Sequence, residues 1–179
     1  MTLNAFPIAD VHGLLEQRYA HMRVHAKQPF IAPVEKRAVT QLYELYRGDL
    51  RGLLKAMEDG VTPNIGLPPV PAKPKRSALP SIRSLSFADI RPTLQQQYAD
   101  DLVSLREENR VSQLVAWGKR DPAAQHTQQS LAKLWKVSQP AVSVALAFLI
   151  RQGYVMQLPR KGTDSRGYLL TGVSRLIFG

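Results

Sequence analysis

Three cationic side chains lie close together in a short segment near the carboxyl end of the chain. They are Arg160, Lys161 and Arg166, and the segment runs from Pro159 to Gly167. Cations on an exposed turn bind phosphate oxygens, and glycines in the turn allow a phosphate backbone to approach the main chain closely. The sequence therefore predicts a phosphate-binding hairpin tip, with a solvated basic loop as the alternative.

Two short helices are predicted just before this tip, where they would position it. Leu131, Leu134 and Trp135 give the first helix one apolar face. Ser138 is the predicted N-cap of the second helix, and Pro140 falls in its first turn, where a missing N–H costs nothing. The second helix then repeats apolar residues at helical spacing, at Val142, Ala145, Leu146, Leu149 and Ile150.

Gly153 ends the second helix, and strands are predicted at Tyr154–Met156 and Tyr168–Leu170, on either side of the tip. This order of elements resembles a winged helix-turn-helix, whose second helix enters the DNA major groove. The resemblance implies binding of double-stranded DNA; a small α/β packing motif is the alternative. The residues expected to contact DNA are Thr127, Gln128, Lys133, Ser138, Gln139, Ser143, Arg160, Lys161 and Arg166.

The outward face of the second predicted helix is less polar than a base-reading helix normally is. Proteins that read base edges place Arg, Asn or Gln there, because these side chains match the donors and acceptors of the bases. Here Val144 and Phe148 share the face with Gln139 and Ser143. We expect modest sequence specificity, with Val144 and Phe148 contacting either thymine methyl groups or a partner protein.

The charge of the chain agrees with a polyanionic partner. Lys and Arg number 24 against 14 Asp and Glu, a formal net charge of +10. Residues 1–66 carry 8 basic and 7 acidic side chains (8 − 7 = +1), residues 67–93 carry 5 and 1 (5 − 1 = +4), and residues 94–179 carry 11 and 6 (11 − 6 = +5). The excess in the last two segments favours phosphate contact, with simple solubility as the alternative.

The composition also limits the class of protein. The chain has no cysteine, which excludes disulfides, thiol catalysis and cysteine-ligated zinc within it and is compatible with a reducing compartment. No apolar run reaches membrane-spanning length, and no signal-like segment follows Met1. We expect a cytoplasmic, nucleoid-associated protein without a membrane partner.

The sequence suggests two domains and a connector. Residues 1–61 predict three helices, over Asp10 to His25, over Pro33 to Tyr46, and after an Asp49 cap. Residues 62–93 contain seven of the thirteen prolines, and we expect an extended basic connector there rather than a helix or a central strand. Residues 94–179 form the predicted DNA-binding domain. The expected fold class is mainly α with a small β wing.

The first domain resembles the helical lid of AAA+ ATPases, and most closely that of the origin-recognition type of replication initiators. The resemblance rests on Gly48-Asp49-Leu50-Arg51, which looks like the sensor-2 motif of that lid, and on the helices around it. It implies that Arg51 contacts the γ-phosphate of a nucleotide, that Asp49 caps its helix and that Gly48 forms the turn. A lid followed by a winged helix is also the domain order of those initiators.

The parts that an ATPase needs are missing from these residues. No G-x-x-x-x-G-K-[ST] phosphate loop occurs, since Gly118-Lys119 lacks the first glycine and Arg120 replaces the Ser or Thr. We therefore expect no catalytic residues and no enzyme activity in this chain, and ATP with Mg²⁺ only if an ATPase core lies elsewhere. The chain is then either the C-terminal part of a longer ATPase or a stand-alone protein related to one.

Two other readings of the chain remain open. A stand-alone dimeric transcription regulator would use the predicted helical stretch from Leu94 to Trp117 as its dimer interface. An interaction module would bind a protein at Val144 and Phe148 and no DNA. His21 and His25 have the i, i+4 spacing of a zinc pair, but no third ligand is placed, so we expect no metal site.

Overall fold

The computed structural model of the protein describes residues 6–21, 31–64, 84–159 and 166–179. Within these ranges the fold is mainly α-helical and has one three-stranded antiparallel sheet. The chain divides into two compact units, Met1–Leu94 and Gln95–Gly179. None of the described helices is long and apolar enough to cross a lipid bilayer.

The first unit is built from helices that each bury one apolar face. It contains α1 (Ile8–His21), α2 (Lys36–Tyr46), α3 (Leu50–Val61), a 3-10 turn (Thr62–Asn64) and the start of α4 (Phe87–Ser104). Its buried side chains include Val11, Leu15, Val39, Leu42, Leu53 and Met57. The three helices predicted before residue 61 are present, and the predicted end of the first, residues 22–25, lies outside the described residues.

The second helix begins later than its sequence predicted. Pro33 was expected to open it, whereas α2 starts at Lys36. The carbonyl of Pro33 accepts a hydrogen bond from Leu85 N (2.8 Å), and Val34 forms a parallel β-bridge with Leu85. Because this pairing holds residues 33–34 extended, the helix can begin only after it.

The prediction of an extended connector through residue 93 is wrong at its carboxyl end. Ser84 Oγ donates to the carbonyl of Ala32 (2.6 Å), and α4 starts at Phe87. Ser86 and Asp89 cap α4, since Asp89 Oδ2 accepts from both the amide and the hydroxyl of Ser86, each at 2.8 Å. The density of prolines over residues 62–93 hid this capping signal. Residues 65–83 lie outside the described part of the chain.

A proline inside α4 is tolerated because the helix is held by close packing. Pro92 lies in the second turn of α4, where it removes one backbone hydrogen bond. Ile90 and Leu94 are fully buried there. They lie over Gly60 of α3, where an added methyl group would be 3.1 Å from Ile90 Cβ and 3.4 Å from Leu94 Cγ. Because α3 and α4 approach each other closely at Gly60, the burial of these apolar side chains can offset the backbone hydrogen bond that Pro92 removes.

The second unit combines four complete helices and the end of α4 with a small sheet. It contains the rest of α4, α5 (Glu108–Arg120), β1 (His126–Thr127), α6 (Gln128–Trp135), α7 (Gln139–Arg151), β2 (Val155–Gln157), β3 (Gly167–Leu170) and α8 (Gly172–Phe178). The strand order is β1-β3-β2, and both pairs are antiparallel. The core includes Leu114, Trp117, Leu131, Val142, Leu146, Leu149, Tyr168 and Leu170. The predicted order from α6 to β3 is confirmed.

The last helix, α8, was not anticipated from the sequence. Ser174 Oγ donates to the carbonyl of Tyr154 (2.7 Å), and Arg175 Nε donates to the carbonyl of Leu170 (3.2 Å). The ring of Phe178 lies directly against Gly118 of α5, where no side chain would fit. These contacts fasten the end of the chain to both the sheet and α5.

Candidate functional site

The first helix of the predicted DNA-binding pair begins with a reciprocal cap. Ser130 N donates to Thr127 Oγ1 (3.2 Å), and Thr127 N donates to Ser130 Oγ (2.9 Å). Both bonds satisfy amides at the helix start that have no partner within the helix. The helix ends at Lys136, whose backbone is left-handed with φ 54° and ψ 44°. This residue turns the chain into α7.

The start of α7 leaves hydrogen-bonding groups exposed. Ser138 has the extended backbone of an N-cap, and its carbonyl accepts from Val142 N (3.1 Å). Its side chain makes no capping hydrogen bond, so the prediction was right for the position and wrong for the hydroxyl. The amides of Gln139 and Ala141 belong to the first turn and have no acceptor within the helix. A hydroxyl and two N–H groups thus lie together at this end.

The outward face of α7 is exposed along the helix. Gln139, Ser143 and Ala147 are exposed, and 59% of Val144 is accessible to solvent. Phe148 differs from its prediction as a free contact residue. It is half-buried against the core of the second unit, and the guanidinium of Arg151 lies 5.9 Å from its ring. Of the two predicted apolar contacts, Val144 is the more exposed.

The structure separates the predicted contact residues into three groups. Thr127 and Gln128 are half-buried and engaged internally, Thr127 in the cap and Gln128 through a bond from Nε2 to Tyr168 Oη (3.2 Å). Arg160 and Lys161 lie outside the described residues. The exposed ones are Lys133, Ser138, Gln139, Ser143 and Arg166.

One glycine near the hairpin tip has a different role from the one predicted. Gly167 was expected to admit a phosphate backbone, but it is buried at the start of β3. An added methyl group there would collide with Gln125 Nε2 and would lie 3.2 Å from Leu158 Cδ1. The absence of a side chain at Gly167 therefore serves packing inside the unit. Arg166, the residue before it, is exposed at the base of the hairpin.

The exposed charged side chains described on α6, in the turn after it, on α7 and at the base of the hairpin are all cations, namely Lys133, Lys136, Arg151 and Arg166. Residues 122–179 contain seven Lys and Arg and one acidic residue, a balance of 7 − 1 = +6. That acidic residue, Asp164, lies outside the described part of the chain, so no carboxylate side chain occurs on the described surface of α6, α7, the sheet or α8. Lys136 was missed as a candidate, although its place in the turn between two predicted helices was a usable signal.

A histidine beneath the start of α6 is packed against aromatic rings. The His126 ring meets the Trp117 ring edge-on at 5.2 Å, and Trp117 and Trp135 lie 6.4 Å apart. Within the described structure, His126 Nε2 and both indole nitrogens are buried without a hydrogen-bond partner. Burial lowers the pKa of His126 below 6.5, and the charge of Arg120 lowers it further against a smaller opposing effect of Asp121. The ring is neutral at pH 7.

The first unit holds the residues of the predicted nucleotide contact. Gly48 has φ 80°, and Asp49 caps α3 by accepting from Gly52 N (3.1 Å), so the predicted turn and cap are confirmed. Arg51 is exposed and lines an open cleft. His21 lies in α1, and no group of three or more potential ligands is placed to hold a metal ion among the described residues.

A comparison with protein families, with curated proteins and with solved structures finds no match to this chain. The two resemblances in the sequence, to a winged helix and to an ATPase lid, therefore stay predictions. The described residues that combine exposure, positive charge and open hydrogen-bonding groups lie on α6, α7 and the base of the hairpin.

Proposed function

We propose that the second unit binds double-stranded DNA, with α7 facing the major groove and the β2–β3 hairpin contacting the phosphate backbone. The observation that carries the proposal is the exposed start of α7. There Ser138 and Gln139 are exposed, the Ser138 side chain makes no capping hydrogen bond, and Lys133 and Lys136 are exposed within a few residues of them. Helix amino termini bind phosphate through their amides and their dipole.

The helix face itself supports close approach with little base selectivity. Ser143 and Ala147 are small and exposed, so a groove edge or phosphate chain can come near the helix backbone. Only Gln139, Ser143 and Arg151 offer polar atoms for base edges on that face. Affinity then comes mainly from phosphate contacts, which carry no sequence information. We therefore propose a DNA binder of modest specificity.

The first unit supports a second proposal, which concerns the protein family to which the chain is related. The exposed Arg51, its Asp49 cap and the left-handed Gly48 fit a sensor-2-like motif, which favours a chain that is part of, or related to, an initiator-type AAA+ ATPase. With no phosphate loop among these residues, the nucleotide would be held mainly by an ATPase core outside them. A single arginine on a lid contributes one contact to such a site.

The dimeric alternative has less support. Its interface was expected along Leu94 to Trp117, but the large apolar residues of that stretch are buried or partly buried within the chain, except Val103, which is 79% exposed. Tyr98 is 5% exposed, Leu102 is 4% exposed, and Leu114 and Trp117 are fully buried. A dimer helix needs an apolar face that is free in the monomer. The protein-binding alternative is supported by one exposed large hydrophobic residue of α7, Val144.

The proposal is tested by titrating a fluorescent 20-base-pair duplex with matched variants of the full chain. Ser143→Asp places a negative charge on the α7 face. Ser143→Asn introduces a polar side chain of the same size as Asp but without the charge. We expect Asp to weaken binding by about tenfold or more and Asn to leave it nearly unchanged. Lys36→Ala in the first unit is the control for the loss of one exposed cation. Equal affinity of all variants, or no binding by the unchanged chain, would refute the proposal.

A further inference from the structure

An open cleft of about 810 Å³ runs along α3 in the first unit. One wall is α3 and the other is the end of α1, with Pro33 at the edge. All of its lining residues belong to the first unit, whereas the residues of the proposed DNA surface belong to the second. The apolar lining residues are Leu15, Tyr19, Pro33, Leu50, Leu54, Met57 and Val61.

The apolar part of the cleft has the spacing of a helix-binding groove. Leu50, Leu54, Met57 and Val61 recur every three or four residues, so they form one stripe along α3. Leu50, Leu54 and Val61 remain partly exposed, while Met57 is buried in the floor. Twelve residues of α-helix measure about 18 Å, which matches about three turns of a second helix lying alongside.

The rim of the cleft carries positive charge. Arg18 of α1 and Arg51 of α3 are both exposed at the cleft. Lys55 also lines it, but its ammonium is paired with Asp59 at 3.1 Å. Glu58 is the one acidic lining residue. The two arginines thus present cations at the cleft, one from each of the two helices that line it.

We propose that this cleft binds an acidic amphipathic helix of a partner protein. Leucine-like side chains on one face of that helix would occupy the apolar stripe, and its carboxylates would pair with Arg18 and Arg51, where bidentate contact is available. The two longest of the chain's own segments outside the described residues fit poorly. Residues 22–30 and 65–83 contain six Lys and Arg and no acidic residue, and a second copy of a chain with net charge +10 is similarly mismatched.

The test uses the full chain and a fluorescein-labelled designed peptide of about 16 residues, long enough to span α3. The peptide carries leucines at i, i+3, i+4 and i+7 and glutamates on both flanks. A second peptide replaces each glutamate with lysine. Binding is followed by anisotropy for the unchanged chain, for Leu54→Asp, for the pair Arg18→Glu with Arg51→Glu, and for Arg37→Glu on α2. Arg37 is exposed and does not line the cleft.

The acidic peptide should bind the unchanged chain and the Arg37→Glu control alike. Binding should weaken by about tenfold or more for Leu54→Asp and for the double arginine variant, since each places negative charge against the peptide. The lysine peptide should instead prefer the double variant, a rescue that misfolding cannot produce. The proposal is overturned if the peptide binds Leu54→Asp as well as the unchanged chain. It is also overturned if Mg·ATP, and not the peptide, binds in an Arg51-dependent manner.

Discussion

The imidazole of His126 is hydrogen-bonded to the hydroxyl of Ser130, with 3.1 Å between His126 Nδ1 and Ser130 Oγ. Ser130 Oγ also lies 2.9 Å from the carbonyl oxygen of Thr127 and accepts from Thr127 N at 2.9 Å. The His126 ring, at the end of β1, thus joins the hydrogen bonds that begin α6. These bonds tie the start of α6 to β1.

Acid should destabilise the second unit through His126. Because burial lowers the pKa of this ring below the 6.5 of an ordinary histidine, the unfolded chain binds the proton more readily than the folded one. The stability is fully present above pH 6.5 and is lost as the pH falls through the lower, folded-state pKa. Urea unfolding followed by tryptophan fluorescence at pH 7.5 and pH 5 measures this, since both tryptophans belong to the second unit.

The matched variant for this effect is His126→Asn. Its side-chain amide can still form a hydrogen bond with Ser130 but does not titrate, so the difference in unfolding free energy between the two pH values should shrink. An unchanged pH dependence in that variant would show that other groups are responsible.

Lys136→Gly should change stability and DNA affinity in opposite directions. The left-handed backbone of Lys136 is strained for a residue with a Cβ, and glycine removes that strain. We expect the unfolding free energy to rise by about 1 kcal/mol. Under the proposed function, the loss of the cation should weaken duplex binding and reduce its salt dependence. Lys133→Ala serves as the control that should weaken binding without stabilising the fold.

Gly167→Ala should destabilise the sheet because the new methyl group meets Gln125 and Leu158. Overpacking of this kind costs about 1–3 kcal/mol of unfolding free energy. Adding Gln125→Ala should restore much of the loss, since the closest clash is with the Gln125 side chain. Thermal unfolding of the two single variants and the double variant gives the coupling free energy between the two substitutions. If the changes in unfolding free energy of the two substitutions simply add, the contact with Gln125 is not the reason that position 167 requires glycine.

Asp49→Ala should lower the stability of the first unit by about 1 kcal/mol, the usual effect of losing an N-cap. The lost bond is the one from Gly52 N to Asp49 Oδ1. Asp49→Asn keeps the accepting oxygen and should lie close to the unchanged chain. Circular dichroism during thermal unfolding compares the three proteins, and an equal loss with Asn would implicate the charge rather than the cap.

The helix pair was predictable because its signals are local. Regular apolar spacing, a proline in the first turn and a terminal glycine all lie within residues 128–153, where α6 and α7 form. The start of α4 was missed because its cap, Ser86 with Asp89, sits among prolines. Strand β1 has two residues and shows no alternation at all. It exists because β3 pairs with it, which is tertiary information.

The sequence predicts which helix positions of the candidate site are exposed, but not the long-range contacts that some of its residues make. Exposed Lys133 and Ser143 follow from helical periodicity, since they face away from buried Leu131 and Val142. The internal use of Gln128 depends on Tyr168, which is 40 residues away in sequence. Likewise the packing of Gly167 depends on Gln125. No local pattern reveals such long-range partners.

The salt dependence of duplex binding tests the central claim most directly. The affinity of the unchanged chain for a 20-base-pair duplex is measured at several salt concentrations between about 50 and 200 mM. If α7 and the hairpin contact the phosphate backbone, the logarithm of the binding constant should fall linearly with the logarithm of salt concentration. Lys133→Ala and Arg166→Ala should each reduce the slope by about one. A slope near zero, or slopes that neither substitution alters, would contradict the account.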